Sequence, residues 1–277
     1  MKRIILCADD YGQNESISQA IVDLLQQKRL SATSCMVTSP HWQETAPKLK
    51  PYLNRADIGL HLNLTEGKPL SSALPATIPL NDLLIKAFTR KLDQKQISAE
   101  FRAQLDRFSE EFGMQPDYLD GHHHIHQLPI IRNAVLEVFE ERLRDNPDAY
   151  IRSTFAPGSL WQMKSGAYLK LVFIQFAGAL AFKAQLLKRN IPHNTSFSGI
   201  YDFSKPYEYQ ELFPRFARAV VDGGIIMSHP GLVSKEAGDE IAASRNKEYL
   251  YFSSPDFLRL CNDNEISLAR FKDIPRK

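Results

Sequence analysis

A short apolar run, then a polar group, then a helix-periodic stretch: this alternation recurs along the chain and limits its folds more than any other feature. Ile4 to Ala8 is the first run. It is followed by Asn14 to Arg29, where Ile17, Ala20, Ile21, Leu24 and Leu25 fall on one helical face. Further strand candidates are Ala32 to Thr38, Ile58 to Leu64, Asp117 to Asp120, Tyr150 to Thr154, Thr195 to Tyr201, Gly224 to Ser228 and Ile266 to Phe271. Between them, Trp42 to Leu49 reads as a short helix, and a longer one starts at a Ser98 cap and stops at Gly113. Pro129 suits the first position of a helix to Arg144. Ala167 to Arg189, Tyr207 to Val221 and a last segment from Ser254-Pro255-Asp256 to Asn262 complete the series.

Buried strands alternating with helices predict an α/β fold with a parallel sheet. Seven or eight such units in 277 residues point to a closed or nearly closed barrel, with an open doubly wound sheet as the alternative. No low-complexity linker or charge block divides the chain, so residues 1–277 read as one domain. Two stretches stand outside the pattern. Glu66 to Asp82 carries Pro69, Pro75 and Pro79 and reads as a long loop, a lid candidate. Residues 161–194 read as a helical insertion with no assigned role.

Composition excludes several classes. Lys+Arg number 34 and Asp+Glu 32, with no basic block, so nucleic acid is not an expected partner. The three cysteines, Cys7, Cys35 and Cys261, form no CxxC, and Cys7 and Cys35 lie in apolar runs; they read as buried free thiols of a reducing cytoplasm. The first apolar run ends at Asp9-Asp10 after five residues, short of the roughly 7–15 of a signal peptide. The longest apolar stretch, Leu171 to Phe182, is bounded by lysines and falls short of the about 20 residues of a spanning helix. It reads as a buried helix or a homodimer face, and the expected location is cytoplasmic.

Polar residues collect at the strand ends. Asp9-Asp10 ends the first strand, His61 lies in the third, Asp120 and the run His122-His123-His124-Ile125-His126 end the fourth, Arg152 lies in the fifth and His229 ends the seventh. In a parallel barrel these ends share one face, where distant residues converge. Imidazoles with a carboxylate and open positions form a catalytic transition-metal arrangement. Extended backbone through the histidine run would turn His122, His124 and His126 to one side and His123 to the other. The run then supplies one ligand and further pocket residues, with His123 in packing or in a bond that supports a ligand.

Four segments together resemble the YdjC-like carbohydrate deacetylases: Ala8-Asp9-Asp10-Tyr11-Gly12, Gly59-Leu60-His61-Leu62-Asn63-Leu64-Thr65, Leu119 to His126, and Met227-Ser228-His229-Pro230-Gly231. The resemblance spans residues 8 to 231, with Tyr11 where the family usually has Phe. It implies a distorted (β/α) barrel related to NodB-type polysaccharide deacetylases. It also implies one divalent metal on Asp10, His61 and His122, with Asp9 as general base and His229 as general acid.

The expected reaction is metal-dependent hydrolysis of an N-acetyl group on an amino sugar or glycoconjugate. His124, His126 and Arg152 would hold sugar hydroxyls or orient ligands, and Tyr11, Trp42 or Trp161 would offer apolar faces. Imidazole ligands favour Zn²⁺ or another transition metal over Mg²⁺. Two rival readings keep the barrel: a non-catalytic metal- or sugar-binding protein, and an amidohydrolase or phosphodiesterase with a non-sugar substrate.

Overall fold

Every strand of the sheet is parallel to its neighbours, and β1 (Lys2–Tyr11) is its spine. The computed structural model describes residues 1–156, 178–233 and 239–275. Ile4, Leu6 and Ala8 of β1 pack into the main core, while Ile5 and Cys7 enter a second cluster with Tyr118, Tyr150, Phe197 and Phe271. This is the alternation of a strand buried on both faces. The strands are β2 (Ala32–Cys35), β3 (Asp57–Leu62), β4 (Tyr118–Gly121), β5 (Tyr150–Ile151), β6 (Phe197–Ser198), β7 (Gly224–Ser228) and β8 (Ile266–Leu268). They run in the order β5-β4-β3-β2-β1-β7-β6, and β8 pairs with the start of β1.

The path ends at two two-residue strands, and the chain between them draws these ends together. Ile151 N donates to Pro192 O at 3.0 Å. Asn194 accepts from Ser153 N on Oδ1 at 2.7 Å and returns Nδ2 to Ser153 O and to Ser196 O, each at 2.8 Å. One side-chain amide thus does the work of a strand ladder between β5 and β6. The result is the expected barrel, distorted at this seam.

The helices are α1 (Glu15–Gln26), α2 (Trp42–Thr45), α3 (Leu80–Phe88), α4 (Gln94–Phe112), α5 (Ile131–Arg142), α6 (described over 178–188), α7 (Tyr209–Ala219), α8 (Ala242–Ser253) and α9 (Pro255–Asp263). Asn14 caps α1 and Ser254 caps α9 through their side chains. Three local readings need correction. α4 is capped by Asp93, and Ser98 is a buried residue inside it that bonds Glu137. Pro129 precedes α5, which opens after Ile130 at φ 68°. The loop after β3 ends at Pro79, because α3 begins at Leu80. α8 also went unforeseen.

Gly59 has a steric reason. A Cβ there would lie 2.3 Å from the Tyr118 ring on the adjacent strand. All three cysteines are buried free thiols. No described helix is long and apolar enough to cross a membrane. Of the proposed dimer stretch, residues 171–177 fall outside the described residues; of the remainder, Leu180 is exposed and Phe182 buried. Trp161 and the rest of 161–177, the first half of the 161–194 insertion, lie outside them too.

Candidate metal centre and active site

Asp9 and Asp10 are adjacent in a strand, where side chains should point to opposite faces. Both nonetheless line the cleft at the strand ends. The pairing explains it: Ala8 opposes Thr33 and Tyr11 opposes Cys35, so β1 carries one extra residue between them. That is a β-bulge, with Asp10 in the left-handed region at φ 68°. For a non-glycine residue such a conformation costs about 1–3 kcal/mol and is kept where the surroundings hold it.

What holds Asp10 is a ring of donors. Asp10 Oδ1 lies 3.4 Å from His61 Nε2 and 3.1 Å from His122 Nδ1. Oδ2 accepts from Arg245 Nη2 at 2.7 Å. Burial alone would raise this carboxyl; Arg245 and the two imidazoles outweigh it and hold Asp10 well below the usual carboxylate range.

His61 is aimed by register. It pairs with Asp120 across β3 and β4, and in-register residues of parallel strands face the same way. His61 Nδ1 donates to Asp120 Oδ1 at 2.7 Å, which turns Nε2 towards Asp10. Carboxylate, imidazole and an open Nε2 form the arrangement by which proteins orient a metal ligand. Ligand atoms of Asp10, His61 and His122 lie within 4.8 Å of one another, all buried. The donor set fits a divalent ion. Asp9, His61 and Asp120 are equally close, but both of those carboxylates are already bound to the Arg152 guanidinium, so a second cation gains little there.

The histidine run is not extended. His123 and His124 take φ 52° and 56°, a tight left-handed turn. His122, His123 and His124 therefore all line the cleft. The expectation that His123 faces away is corrected, since the alternation applied to it needs a strand. His126 passes beneath the floor instead, fully buried, with Nε2 bonded to Arg152 O at 3.0 Å.

Arg152 also needs correction as a residue that holds sugar. It is fully buried, and its Nη1 and Nη2 hold Asp9 at 2.8 and 2.7 Å. Nη2 also meets Asp120. Burial would raise Asp9, but Arg152 prevails and leaves it far below the usual range. One guanidinium thus orients Asp9 and braces the carboxylate that aims His61. Ser34 donates to the same Asp120 at 2.5 Å.

His229 enters the cleft from the end of β7. Its ring meets Phe203 edge-on at 5.3 Å, and burial holds it down at about 4. His124 is likewise held at about 4 by burial, with Nδ1 buried and without a hydrogen-bond partner among the described residues. The cleft has a volume of about 750 Å³. Its apolar wall is Phe203, Ile200, Met227 and Leu80. Tyr11 and Trp42 are core residues: Tyr11 bonds Thr45 O, and Trp42 packs against Phe108 and Phe112.

Three charged residues were missed by sequence reasoning. Glu66 accepts from His122 Nε2 at 2.9 Å and from Gln13 Nε2 at 2.9 Å, and the His122 bond pulls it down to about 2. Its position as the first residue of the proline-bearing loop was the available signal. Arg245 and Glu248 sit on the unforeseen α8. Nothing near them in sequence marked that helix as packed against the site.

A parallel barrel thus brings an aspartate, two imidazoles and an arginine-clamped second aspartate together at its rim. The chain belongs to the YdjC-like protein family, whose model matches residues 3–263. It is similar to a carbohydrate deacetylase of Danio rerio, 33% identical over 165 residues, which are 56% of this chain and 51% of the relative. It is also similar to a chitooligosaccharide deacetylase of Yersinia pestis (strain Pestoides F), 32% identical over 146 residues, 51% of this chain and 57% of the relative. The chain thus spans about half the length of the curated relatives it matches. A solved structure from Enterococcus faecalis V583, described in terms of cellobiose-phosphate cleavage, superposes with a TM-score of 0.71 over 98% of both chains at 18% identity; that likeness concerns the fold.

Proposed function

We propose that this protein hydrolyses the N-acetyl group of an amino sugar or glycoconjugate, releasing acetate, with a divalent ion held by Asp10, His61 and His122. The observation that carries the reading is the shared cleft. The three ligand-type residues lie side by side, and Asp9 and His229 line the same space. The names of the curated relatives support the sugar amide as substrate.

An amide is a poor electrophile with a poor leaving group, so both ends need help. The chemistry a divalent ion supplies in such a site is polarisation of the carbonyl and a water acidified towards roughly pKa 7. Asp9 accepts the proton from that water; Arg152 keeps it ionised and aimed at the cleft. His229 delivers a proton to the departing nitrogen. Its low basicity means the resting imidazole is neutral, so the proton it gives must arrive during turnover. His124 lines the cleft where the substrate would lie, and Phe203 offers a flat face to a sugar ring.

The deciding experiment measures acetate release from a panel of N-acetylated sugars, after chelation and after adding back Zn²⁺, Co²⁺ or Mg²⁺. The expected result is release that depends on the added ion. No acetate from any sugar under any ion overturns the reading and favours a binding protein or another hydrolase on the same barrel.

A further inference from the structure

The turn His229-Pro230-Gly231 leaves β7 and lies directly against α8. Gly231 N donates to Arg245 O at 3.0 Å, and a Cβ on Gly231 would lie 3.0 Å from Arg245 Cβ. One turn further along α8 is Glu248, which is fully buried. Its Oε2 accepts the backbone N–H of His229 at 2.5 Å, and its Oε1 accepts from Tyr201 OH at 2.7 Å. Glu248 does not line the cleft, and no step above uses it. A buried carboxylate is costly unless its hydrogen bonds are made, and both of these run to one corner of the site.

The His229 ring needs an external reference. Its Nδ1 is buried and has no hydrogen-bond partner among the described residues. No described carboxylate thus gives the ring the orientation common to catalytic histidines, a carboxylate on the second nitrogen. What fixes the imidazole is its packing on Phe203 and the position of its own backbone. That backbone is held from outside the turn by Glu248.

We infer that Glu248 is a positioning residue for His229, acting through the backbone amide of His229 instead of its ring. The inference rests on the reading of His229 as the acid. It differs from a merely structural role in a measurable way. A structural carboxylate would change how much enzyme folds; a positioning one changes the turnover of the enzyme that has folded. Misplacing a reacting group by about 1 Å can cost on the order of 100-fold.

The test is a double-mutant cycle on the zinc-loaded protein, with kcat and KM measured per folded, metal-bound molecule. Glu248→Leu is expected to lower kcat by about 10- to 100-fold with KM nearly constant. Glu248→Gln, which keeps one acceptor oxygen, should recover most of that loss. In the His229→Ala background, Glu248→Leu should cost nothing further. Equal losses in both backgrounds, or an unchanged kcat in Glu248→Leu, would overturn the inference. Should Glu248→Leu fail to fold, the same cycle with Tyr201→Phe, which removes the other bond that holds Glu248, decides; it is expected to lose activity only where His229 is present.

A second readout does not need turnover. Imidazole ¹⁵N resonances of His229 should move in Glu248→Gln while those of His126 stay in place. Wild-type protein that releases no acetate would defeat the deacetylase reading alone; the His229 resonance then decides Glu248, and an unmoved resonance overturns it.

Discussion

The two ends of this barrel are built from the same residue types and do different things. At the N-terminal end of the strands, Asp57 and Asp117 surround Arg270. Asp57 accepts from Arg270 Nε at 2.8 Å, Phe271 N at 2.7 Å and Tyr150 OH at 3.4 Å. Asp117 accepts from Ile58 N at 2.8 Å and Arg270 Nη2 at 3.3 Å. At the other end Asp9, Asp10 and Asp120 are held by Arg152 and Arg245. The lower carboxyls are pushed up by burial, and Asp117, with repulsion from Asp57 added, reaches about 6 despite the one guanidinium beside it. Asp9 and Asp10 are pushed down, because each has a guanidinium of its own and imidazoles nearby. The upper end opens into a cleft lined with imidazoles, which none of Asp57, Asp117 and Arg270 lines. A buried Asp/Arg cluster is therefore not a site by itself. The ratio of cations to carboxylates and the open space decide.

The sharpest break between the ends should come from Asp10→Asn. It is expected to empty the metal position and abolish acetate release, whereas Asp9→Asn keeps metal and loses about 10²–10⁴ in rate. Metal content by elemental analysis beside the rate checks both; a metal-loaded Asp10→Asn with an empty Asp9→Asn would reverse the assignment. At the lower end, Asp57→Ala leaves the buried Arg270 with the longer 3.3 Å bond to Asp117 and should cost up to about 3 kcal/mol of stability. Urea unfolding measures that loss, while kcat per folded molecule and metal content should match wild type.

The ends also differ in the sign of their pH dependence. Asp117, raised in the folded state, binds its proton more tightly there than in the unfolded chain. Its contribution is present below an unfolded pKa of about 3.9 and is lost as pH rises through about 6. His126 is lowered to about 3 by burial. Between there and an unfolded pKa of about 6.5, only the unfolded chain is protonated, so its contribution grows with pH. Asp117→Asn should make the slope of stability against pH more positive between pH 4.5 and 5.5. His126→Gln should make it less positive, each by up to about 1.4 kcal/mol per pH unit. Urea midpoints of the metal-free protein across that range test the pair; slopes moving the same way would refute the contrast. The smallest effect expected is for Glu66→Gln, which weakens the outer bond of His122. Metal affinity should fall about tenfold with little change in stability, read by competition with a chromogenic chelator.

Much of the upper end was legible in the sequence because its residues close strands. The run Ile4 to Ala8 is continuous and apolar, Gly224 to Ser228 matches β7 to the residue, and Asp10, His61 and His122 do meet. The illegible parts share a cause: polar groups used inward. α8 buries Arg245 and Glu248 among its few core-facing residues, so its apolar period is broken where it matters most. Arg152 looked like a cleft residue because arginine is rarely buried; two carboxylates make its burial tolerable. The turn at His123 and His124 escaped because no glycine announces its positive φ values. The lower seal of Asp57, Asp117 and Arg270 joins residues 213 positions apart, beyond any local pattern.

The extra residue in β1 makes chain length itself a part of the chemistry. Deleting one residue between Ala8 and Tyr11 would restore an unbroken ladder and leave a single aspartate in phase with the cleft. It would keep every charge type the strand has except one carboxylate, yet the remaining aspartate could serve the ion or the water, not both. Substitution at Asp9 or Asp10 removes one function at a time. A one-residue deletion would merge the two addresses into one, and adding an aspartate elsewhere on the strand would not separate them again.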